Sequence, residues 1–468
     1  MNSIKENIIN FINKNKYFNI LITGPGGCGK TTVLLDIIKN LKNKNIAVCT
    51  PTGISAYHLV ELGISHAKTL HSWTGLGYDI DKPDFIDNLV KKPYIRKKWV
   101  DIEYLIIDEI SMVGDSLFQV LNNIGKTIRQ NSRKIPSMVS CLPFGGVKLI
   151  MCGDFLQLPP VKDSWIFQQD LWKSMDISIF YLDIPIRFDD VEWYELLCRI
   201  RKCKCSKQDI KNLKNRCIEY PKENTIIPSI LYSKKVDVLS INIGQLEKCP
   251  EPTFILKSND YAQYARYFHE KDILEKKYFD SKDLNITEYS SSLSNLDKLY
   301  PKKKCSEQDK EKLTNIIPET INIRINAQIM IIKNIDFDRG IVNGTKAIIN
   351  DYNEKNDCMI LKLSNNEEIP ISKLAFGPIL SGENYIFREQ YPITLAWAFT
   401  IHKTQSLTIE SIQADLGETI FAPGQAYVVC SRVKKMENLY LTKFNHLSIK
   451  ADKRCIDFDD ECKLKSLI

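Results

Sequence analysis

The feature that most constrains this 468-residue chain is a glycine-rich segment near its start. An apolar run leads into Gly24-x4-Gly29-Lys30-Thr31, and a helix-like apolar pattern follows. A strand, a glycine loop and a helix in this order are typical of the phosphate-binding P-loop, whose backbone N–H groups turn inward around phosphate oxygens. Lys30 can reach the β- and γ-phosphates, and the Thr31 hydroxyl can ligate Mg²⁺. The segment therefore predicts an α/β domain that binds ATP and Mg²⁺ through Gly24, Gly26, Gly27, Gly29, Lys30, Thr31 and Thr32.

Two further apolar runs end in polar side chains. Residues 104–107 form an apolar run that is followed by Asp108 and Glu109. Open α/β sheets bind ligands at the carboxyl ends of their strands, so this is a Walker-B arrangement. Asp108 is expected to hold Mg²⁺, together with Thr31, and Glu109 to orient and deprotonate the attacking water. Residues 147–152 form the next run, and Gln157 lies just beyond it, where its amide can sense the γ-phosphate.

The composition narrows the class of protein. Apolar residues make up 44% of the chain, which excludes a wholly disordered protein. The 64 basic and 57 acidic side chains leave a net charge of +7, which is compatible with a polyanionic partner but does not require one. The 14 cysteines show no framework spacing and predict a reducing compartment, cytoplasmic or nuclear, with a viral replication site left open. No apolar run reaches membrane-spanning length, so we expect no membrane partner.

Taken in order, the motifs of this chain resemble those of superfamily 1 DNA helicases of the Pif (petite integration frequency) type, relatives of the RecD helicases. In the N-terminal half the resemblance rests on GPGGCGKTT, TPTGISA, TLHSWTG, LIIDEISM and GDFLQLPPV. In the C-terminal half it rests on RINAQIMIIKNID, GIVNGTKAII, LAWAFTIHKTQSLTIE and GQAYVVCSRVKK. The resemblance spans residues 7–445, and the order of the motifs is more specific than any one of them.

The resemblance implies an α/β fold of two RecA-like parallel-sheet motor domains, with a small SH3-like β insertion in the second. We expect the first domain over residues 1–175, with a short wedge or loop insertion within about 56–100. The second is expected over 176–320 and 385–450, with an irregular basic connection over 250–320. Short alternating segments with Asn-Gly turns predict the β insertion over 321–384. Residues 451–468 are expected to form a tail without an assigned function.

The same resemblance implies a split ATP site and a DNA track. Lys30, Asp108, Glu109 and Gln157 of the first domain would act together with Arg187 and Arg432 of the second, and Arg432 would serve as an arginine finger. The residues implied in DNA binding are Thr52, Gly53, His71, Ser72, Trp73, Phe155, His402, Lys403 and Thr404. Trp73 and Phe155 are candidates for stacking on bases. For Trp397, which lies in an apolar run, we predict packing in the core.

The implied activity is 5′–3′ unwinding of DNA from single strands and single-strand/duplex junctions, by a monomer, in replication, repair or recombination. The residues themselves leave the polarity, the choice between DNA and RNA, and the oligomeric state open. Phe188 and Ser406 stand where the family usually has Gln and Gly, and Asn7 stands where it has an adenine-binding Gln. Two alternatives are a translocase that displaces proteins or resolves quadruplexes, and a non-catalytic nucleic-acid-binding subunit. The intact catalytic set argues against the second alternative.

Overall fold

The computed structural model describes residues 2–76, 85–220, 226–232, 235–279, 286–314, 316–336, 339, 341–381, 383–404 and 407–467. The chain divides into two compact units. The first unit contains residues 1–241 and 397–468, and the second contains residues 242–396. Among the described residues, no helix combines the length and the apolarity needed to cross a membrane. All 14 cysteines are free thiols.

The secondary structure is named here in chain order. The strands are β1 (Asn19–Thr23), β2 (Ile46–Thr50), β3 (Lys68–Thr69), β4 (Tyr104–Asp108), β5 (Lys148–Cys152), β6 (Ile177–Tyr181), β7 (Ser229–Tyr232), β8 (Phe254–Lys257), β9 (Asn259–Tyr264), β10 (Lys303–Lys304), β11 (Thr320–Ile323), β12 (Gln328–Ile331), β13 (Lys346–Asn353), β14 (Cys358–Leu363), β15 (Glu368–Ile371), β16 (Leu374–Ser381), β17 (Asn384–Gln390), β18 (Ile393–Leu395), β19 (Ala398–Thr400), β20 (Ile412–Leu416) and β21 (Leu439–Phe444).

The helices are α1 (Asn2–Lys14), α2 (Lys30–Asn40), α3 (Gly53–Glu61), α4 (Leu70–Thr74), α5 (Phe85–Lys91), α6 (Pro93–Asp101), α7 (Asp115–Gln130), α8 (Ser137–Ser140), α9 (Asp170–Ser174), α10 (Val191–Arg201), α11 (Lys207–Lys214), α12 (Lys235–Glu247), α13 (Ala265–Phe279), α14 (Ile286–Leu299), α15 (Glu307–Thr314), α16 (Gln425–Cys430) and α17 (Lys453–Leu464). Short 3₁₀ turns lie at Ile110–Met112, Pro143–Gly146, Ile166–Gln168, Ile401–Thr404, Met436–Asn438 and His446–Ser448.

The first unit is built on a parallel sheet with the order β3-β2-β4-β5-β1-β6. Alternate residues of β1 belong to different cores. Leu21 packs in the core that contains Phe118 of α7, whereas Ile20 and Ile22 pack in the core that contains Val33 of α2. Because both faces of the sheet are covered, its strands read as continuous apolar runs. The segments after β1, β5 and β4, three adjacent strands, meet at one edge of the sheet and supply the predicted nucleotide-binding residues.

The first RecA-like domain extends further than predicted. β6 pairs in parallel with β1, so the domain does not end at residue 175. The expected tail is also part of it, because Cys455 and Cys462 of α17 are buried in its core and Phe458 stacks on Phe167 at 4.2 Å. The N–H of Leu467 then donates to the carbonyl of Ile179, next to the sheet edge. The predicted insertion within about 56–100 contains α3 to α6 and β3, and residues 77–84 lie outside the described residues.

The second RecA-like domain lies in the same compact unit. Its parallel sheet has the order β19-β7-β20-β21, with strands drawn from both sides of the second unit in sequence. Trp397, directly before β19, is only 6% exposed, which confirms its predicted place in the core. The motor sheet resumes at Ala398, so the prediction that residues 385–396 belong to it was wrong.

The second unit is mostly antiparallel. One sheet has the order β15-β14-β13-β12-β18, another has the order β10-β9-β17-β16, and β8 pairs with β11. The predicted β segments of residues 321–384 are confirmed as strands. The expected irregular connection over residues 250–320 is wrong, because this stretch contains β8 to β10 and α13 to α15. Its strands are half exposed and its helices carry many lysines and serines, which hides their pattern in the sequence.

Candidate nucleotide site

The P-loop has the backbone that a phosphate cradle needs. Gly24, Gly27 and Gly29 have φ angles of 132°, 83° and 75°, a region that side chains with a Cβ rarely adopt. At Gly24 a Cβ would also lie 2.0 Å from the carbonyl oxygen of Leu182. The ammonium of Lys30, the first residue of α2, donates to the carbonyls of Gly24 and Pro25 at 2.8 Å each. The lysine is thus held by its own loop, close to where phosphates would bind.

All six predicted catalytic residues line one cavity of about 410 Å³. They are Lys30, Asp108, Glu109 and Gln157, which were predicted for the first RecA-like domain, and Arg187 and Arg432, which were predicted for the second. Gly26, Gly27, Gly29, Thr31 and Thr32 also line it. Gly24 does not line the cavity, although its carbonyl holds the lysine. The structure therefore brings the residues together as the split site that the resemblance implies.

The carboxylates carry the electrostatics of a cation site. Asp108 is 7% exposed, and its Oδ1 accepts the backbone N–H of Glu109 at 3.0 Å. Burial, reinforced by the charge of Glu109, raises the pKa of Asp108 to about 7. A nearby cation would restore the charged carboxylate. Thr31 lines the same cavity, and a hydroxyl with one carboxylate fits Mg²⁺, which takes few protein ligands and completes its shell with water and phosphate oxygens.

Two arginines also line the cavity. The backbone N–H of Arg187 donates to the carbonyl of Gly27 at 3.0 Å, so Arg187 lies against the P-loop, whereas Arg432 follows α16 of the second RecA-like domain. Arg432 is 1% exposed and donates to the carbonyls of Val428 and Thr404 at 2.8 and 2.9 Å. Burial, then the neighbouring charge of Arg187, lowers the pKa of Arg432 to about 9. Arg187 donates to the carbonyl of Ser431 at 3.4 Å, and burial lowers its pKa as well. Two guanidinium groups that line one cavity, with one of them lowering the pKa of the other, favour an anionic ligand.

Gln157 is held by a buried ion network that no sequence motif indicates. Its amide donates to Asp154 at 3.4 Å, and Asp154 pairs with Arg201 of α10 at 2.7 Å. The same guanidinium pairs with Asp459 of α17 at 2.5 Å. All three charged side chains are at most 4% exposed. A charge inside the apolar pattern of α10 was the available signal, but its partners are 47 and 258 residues away.

The nine residues implied in DNA binding fall into two groups: six for which DNA contact stays a prediction, and three whose side chains are buried. Thr52 accepts the N–H of Ser55 at 3.2 Å as the N-cap of α3, and Gly53 begins that helix. His71 and Ser72 are exposed on α4. His402 and Lys403 lie in the turn Ile401–Thr404, with side chains outside the described residues, and Ser406 lies outside them altogether. Their DNA contacts stay predictions.

Three of the implied DNA contacts need correction. Trp73 is 9% exposed and packs against Trp99 with ring centroids 4.9 Å apart. Phe155 is 3% exposed in an aromatic cluster of Trp165, Phe167, Trp172 and Phe458. Neither ring offers a free face to a base in this conformation, since both pack in the first domain's core. Thr404 is also buried, and its hydroxyl donates to the carbonyl of Ile401 at 2.8 Å.

Two further residues went unpredicted, one that lines the cavity and one that is hydrogen-bonded to the P-loop. His58 of α3 lines the cavity beside the P-loop helix. The buried hydroxyl of Tyr427 accepts the N–H of Gly26 at 2.7 Å, 401 residues away in sequence. Tyr427 stands inside the GQAYVVCSR motif, but no spacing rule links that motif to one particular P-loop amide.

Comparisons with known proteins agree with this geometry. A family model described as PIF1-like helicase matches residues 1–196, and one described as DNA helicase Pif1, 2B domain, matches residues 312–352. The ATP-dependent DNA helicase PIF1 of Homo sapiens is 27% identical over 453 residues, which are 94% of this chain and 60% of that protein. The chain spans 60 to 62% of the length of the vertebrate PIF1 proteins that it matches.

Solved structures share the fold. The crystal structure of Pif1 helicase from Candida albicans is 25% identical, covers 98% of each chain and has a TM-score of 0.67. The crystal structure of Pif1 helicase from Bacteroides in complex with ADP-AlF3 and ssDNA is also 25% identical, covers 98% of this chain and 96% of that one, and has a TM-score of 0.59. The predicted fold class, with two RecA-like domains, is confirmed. The family models, the relatives and the two-walled cavity agree that this chain is similar to the PIF1-like helicases.

Proposed function

We propose that this chain is an ATP-dependent DNA helicase that moves 5′ to 3′ along single-stranded DNA. The observation that carries the proposal is the cavity in which a P-loop and two carboxylates meet Arg187 and Arg432, the two arginines that the resemblance assigns to the other RecA-like domain. A site that needs both domains couples nucleotide binding to their closure, and hydrolysis to their opening. Such a cycle is what stepping along a strand requires.

The chemistry follows from the two walls. The P-loop amides and Lys30 hold the phosphates, and Glu109 takes the proton of the attacking water. Thr31 and Asp108 would hold Mg²⁺, which neutralises charge between the β- and γ-phosphates when it is bound. Arg187 and Arg432 stabilise the charge that develops on the transferred phosphoryl group.

The link to DNA is supported by a contact of the second domain. The guanidinium of Arg432 donates to the carbonyl of Thr404, which ends the turn that contains His402 and Lys403. A DNA strand bound by this turn would therefore influence the position of Arg432 in the nucleotide site. The Bacteroides relative was solved with both ADP-AlF3 and ssDNA, as expected if the two ligands bind together. We further propose that the protein acts as a monomer at single-strand/duplex junctions, in replication, repair or recombination, in a reducing compartment.

One set of assays tests the proposal. Wild-type protein with Mg²⁺ and ATP is mixed with duplexes that carry a 5′ or a 3′ single-stranded tail, and unwinding is followed alongside phosphate release. We expect strong stimulation of ATP hydrolysis by single-stranded DNA and unwinding of the 5′-tailed substrate. Lys30→Ala should lower both activities at least about 10³-fold, because it removes the charge on the β/γ-phosphates.

Each other outcome has a definite meaning. Hydrolysis without any stimulation by nucleic acid contradicts the helicase proposal. Stimulated hydrolysis that displaces a bound protein or opens a quadruplex, but leaves tailed duplexes intact, identifies a translocase instead. DNA binding without turnover identifies a non-catalytic subunit. Unwinding of only the 3′-tailed duplex overturns the polarity, and stronger stimulation by RNA overturns the assignment of DNA as the track.

A further inference from the structure

A short helix of the second RecA-like domain lies directly on the first. Gly424, just before α16, has a φ of 77°, and a Cβ there would lie 2.0 Å from the carbonyl oxygen of Gln157. The start of α16 is therefore packed on the loop that carries the predicted γ-phosphate sensor. Arg432 lies just past the end of the same helix, on the opposite wall of the cavity.

Tyr427 lies in α16, between Gly424 and Arg432, and contacts the P-loop. Its side chain is 3% exposed, and its hydroxyl accepts the N–H of Gly26 in the P-loop at 2.7 Å. A Cβ on Gly26 would lie 3.1 Å from that hydroxyl and 3.4 Å from the amide nitrogen of Gln157. The hydroxyl thus occupies a tight niche between P-loop and sensor, where it satisfies an otherwise buried amide.

The geometry points to Tyr427 as a positioning residue for ATP hydrolysis. By holding Gly26, its hydroxyl sets the distance between the P-loop wall and the helix that leads to Arg432. Tyr427 does not line the cavity, so it acts through the arginine and not on the phosphates. This inference rests on the proposed ATP hydrolysis. It predicts that the contact matters for the closed, hydrolysing state and little for holding the nucleotide in the P-loop.

The test is Tyr427→Phe, which keeps the ring and removes only the hydroxyl. We expect kcat for DNA-stimulated hydrolysis to fall about tenfold, with KM for ATP changed less than about threefold, because a buried amide loses its acceptor when the walls are together. Binding of the transition-state mimic ADP–aluminium fluoride should weaken about tenfold, whereas binding of ADP changes less than about twofold. General damage to the first domain would weaken both ligands alike.

A suppressor experiment makes the contact itself measurable. Gly26 does not have a positive φ, so Gly26→Ala adds a methyl group without backbone strain and pushes it against the tyrosine hydroxyl. Gly26→Ala alone should lower kcat, and the double variant Gly26→Ala/Tyr427→Phe should recover about fivefold of that loss, because the methyl group then has room. If the two substitutions caused independent structural defects, adding Tyr427→Phe would not restore the kcat that is lost in Gly26→Ala.

Tyr220→Phe is the matched control. The Tyr220 hydroxyl also bonds a backbone group of the second RecA-like domain, the carbonyl of Ile226 at 2.9 Å, but does not line the cavity. We expect this variant to retain wild-type kinetics. Equal loss of ADP and ADP–aluminium fluoride binding in Tyr427→Phe, wild-type kinetics in that variant, or additive effects in the double variant would each overturn the inference. A wild-type protein without ATPase activity would instead overturn the proposed function.

Discussion

The two walls of the nucleotide cavity are built in different ways. In the first domain, Lys30 donates to two carbonyls of its own loop, five and six residues away. In the second domain, Arg432 donates to the carbonyls of Thr404 and Leu407, 28 and 25 residues away, as well as to neighbours in its own turn. Lys30 of the first wall is therefore held by its own loop, whereas Arg432 of the second wall is hydrogen-bonded to a segment that the family resemblance assigns to DNA binding.

This difference assigns the walls different tasks. A lysine held by two carbonyls of a loop can exchange them for phosphate oxygens without moving its helix. An arginine held by carbonyls of two segments can gain a phosphate contact only if those segments shift together. We therefore expect the P-loop wall to govern nucleotide binding, and the arginine wall to govern hydrolysis and its response to DNA.

The largest expected effect comes from removing the arginine wall. Arg432→Ala should lower kcat for DNA-stimulated hydrolysis about 10²- to 10³-fold, because charge on the transferred phosphoryl group loses a buried cation. KM for ATP should change less than about fivefold, since the P-loop remains intact. Steady-state kinetics with and without single-stranded DNA measure both constants.

Arg216→Ala is the matched control for that variant. Arg216 lies in the same domain and also donates to backbone carbonyls, those of Leu439 and Glu437, but it does not line the cavity. Its loss should leave kcat within about threefold of wild type, the range expected for an arginine outside the site. If both variants lose activity equally, Arg432 supports the fold and the arginine wall has no special part in hydrolysis.

The contrast between the walls also explains what the sequence could predict. Residues 24–32 and 108–109 act through local geometry, a glycine loop after one strand and two carboxylates after another. Their places in the cavity followed from patterns within a few residues. Arg187 and Arg432 could be named only through the family resemblance, because their position depends on how the second domain meets the first. The same holds for Tyr427, whose partner Gly26 is 401 residues away.

The fold divides in a similar way. The buried parallel strands of the first domain could be read as apolar runs, because both faces of that sheet are covered. The stretch 250–320 could not, since its strands are half exposed and its helices are rich in polar residues. The C-terminal tail was not recognised as part of the domain, because an acidic residue such as Asp459 is usually exposed. In the structure Asp459 is only 4% exposed and is paired with Arg201. A charge at a core position becomes interpretable only when its partner is known.

An intermediate effect is expected from the ion network behind the P-loop wall. Asp459→Asn keeps the shape of the side chain but removes the charge that faces Arg201 and Lys202. We expect the free energy of unfolding to fall by about 2–3 kcal/mol, because a buried guanidinium loses one of its two carboxylates. Urea unfolding followed by tryptophan fluorescence measures this change.

Asp457→Asn provides the control on the same helix. Asp457 is exposed, and its change should cost less than about 0.5 kcal/mol, as usual for surface positions. Asp154 still pairs with Arg201 in the Asp459 variant, so Gln157 should stay in place and kcat should remain within about threefold of wild type. A large loss of kcat with unchanged stability would show that the network acts on catalysis and does not merely anchor the helix.

The smallest effect concerns His58, a polar member of the P-loop wall. Burial lowers the pKa of His58 below 6.5. The charge of Glu109 opposes this effect but is outweighed, and the charge of Arg187 reinforces it. A base with a lowered pKa in the folded state contributes stability that is present above pH 6.5 and is lost as the pH falls through the folded-state pKa. Relative to His58→Asn, the wild-type protein should therefore lose unfolding free energy as the pH falls from 7.5 to 5.5. Leu62→Met, a neutral change in the same wall, should leave the pH dependence as in the wild type. If the wild type and His58→Asn show parallel pH profiles in urea unfolding, the imidazole is solvated as in the unfolded chain, and the P-loop wall is more open to water than the arginine wall opposite.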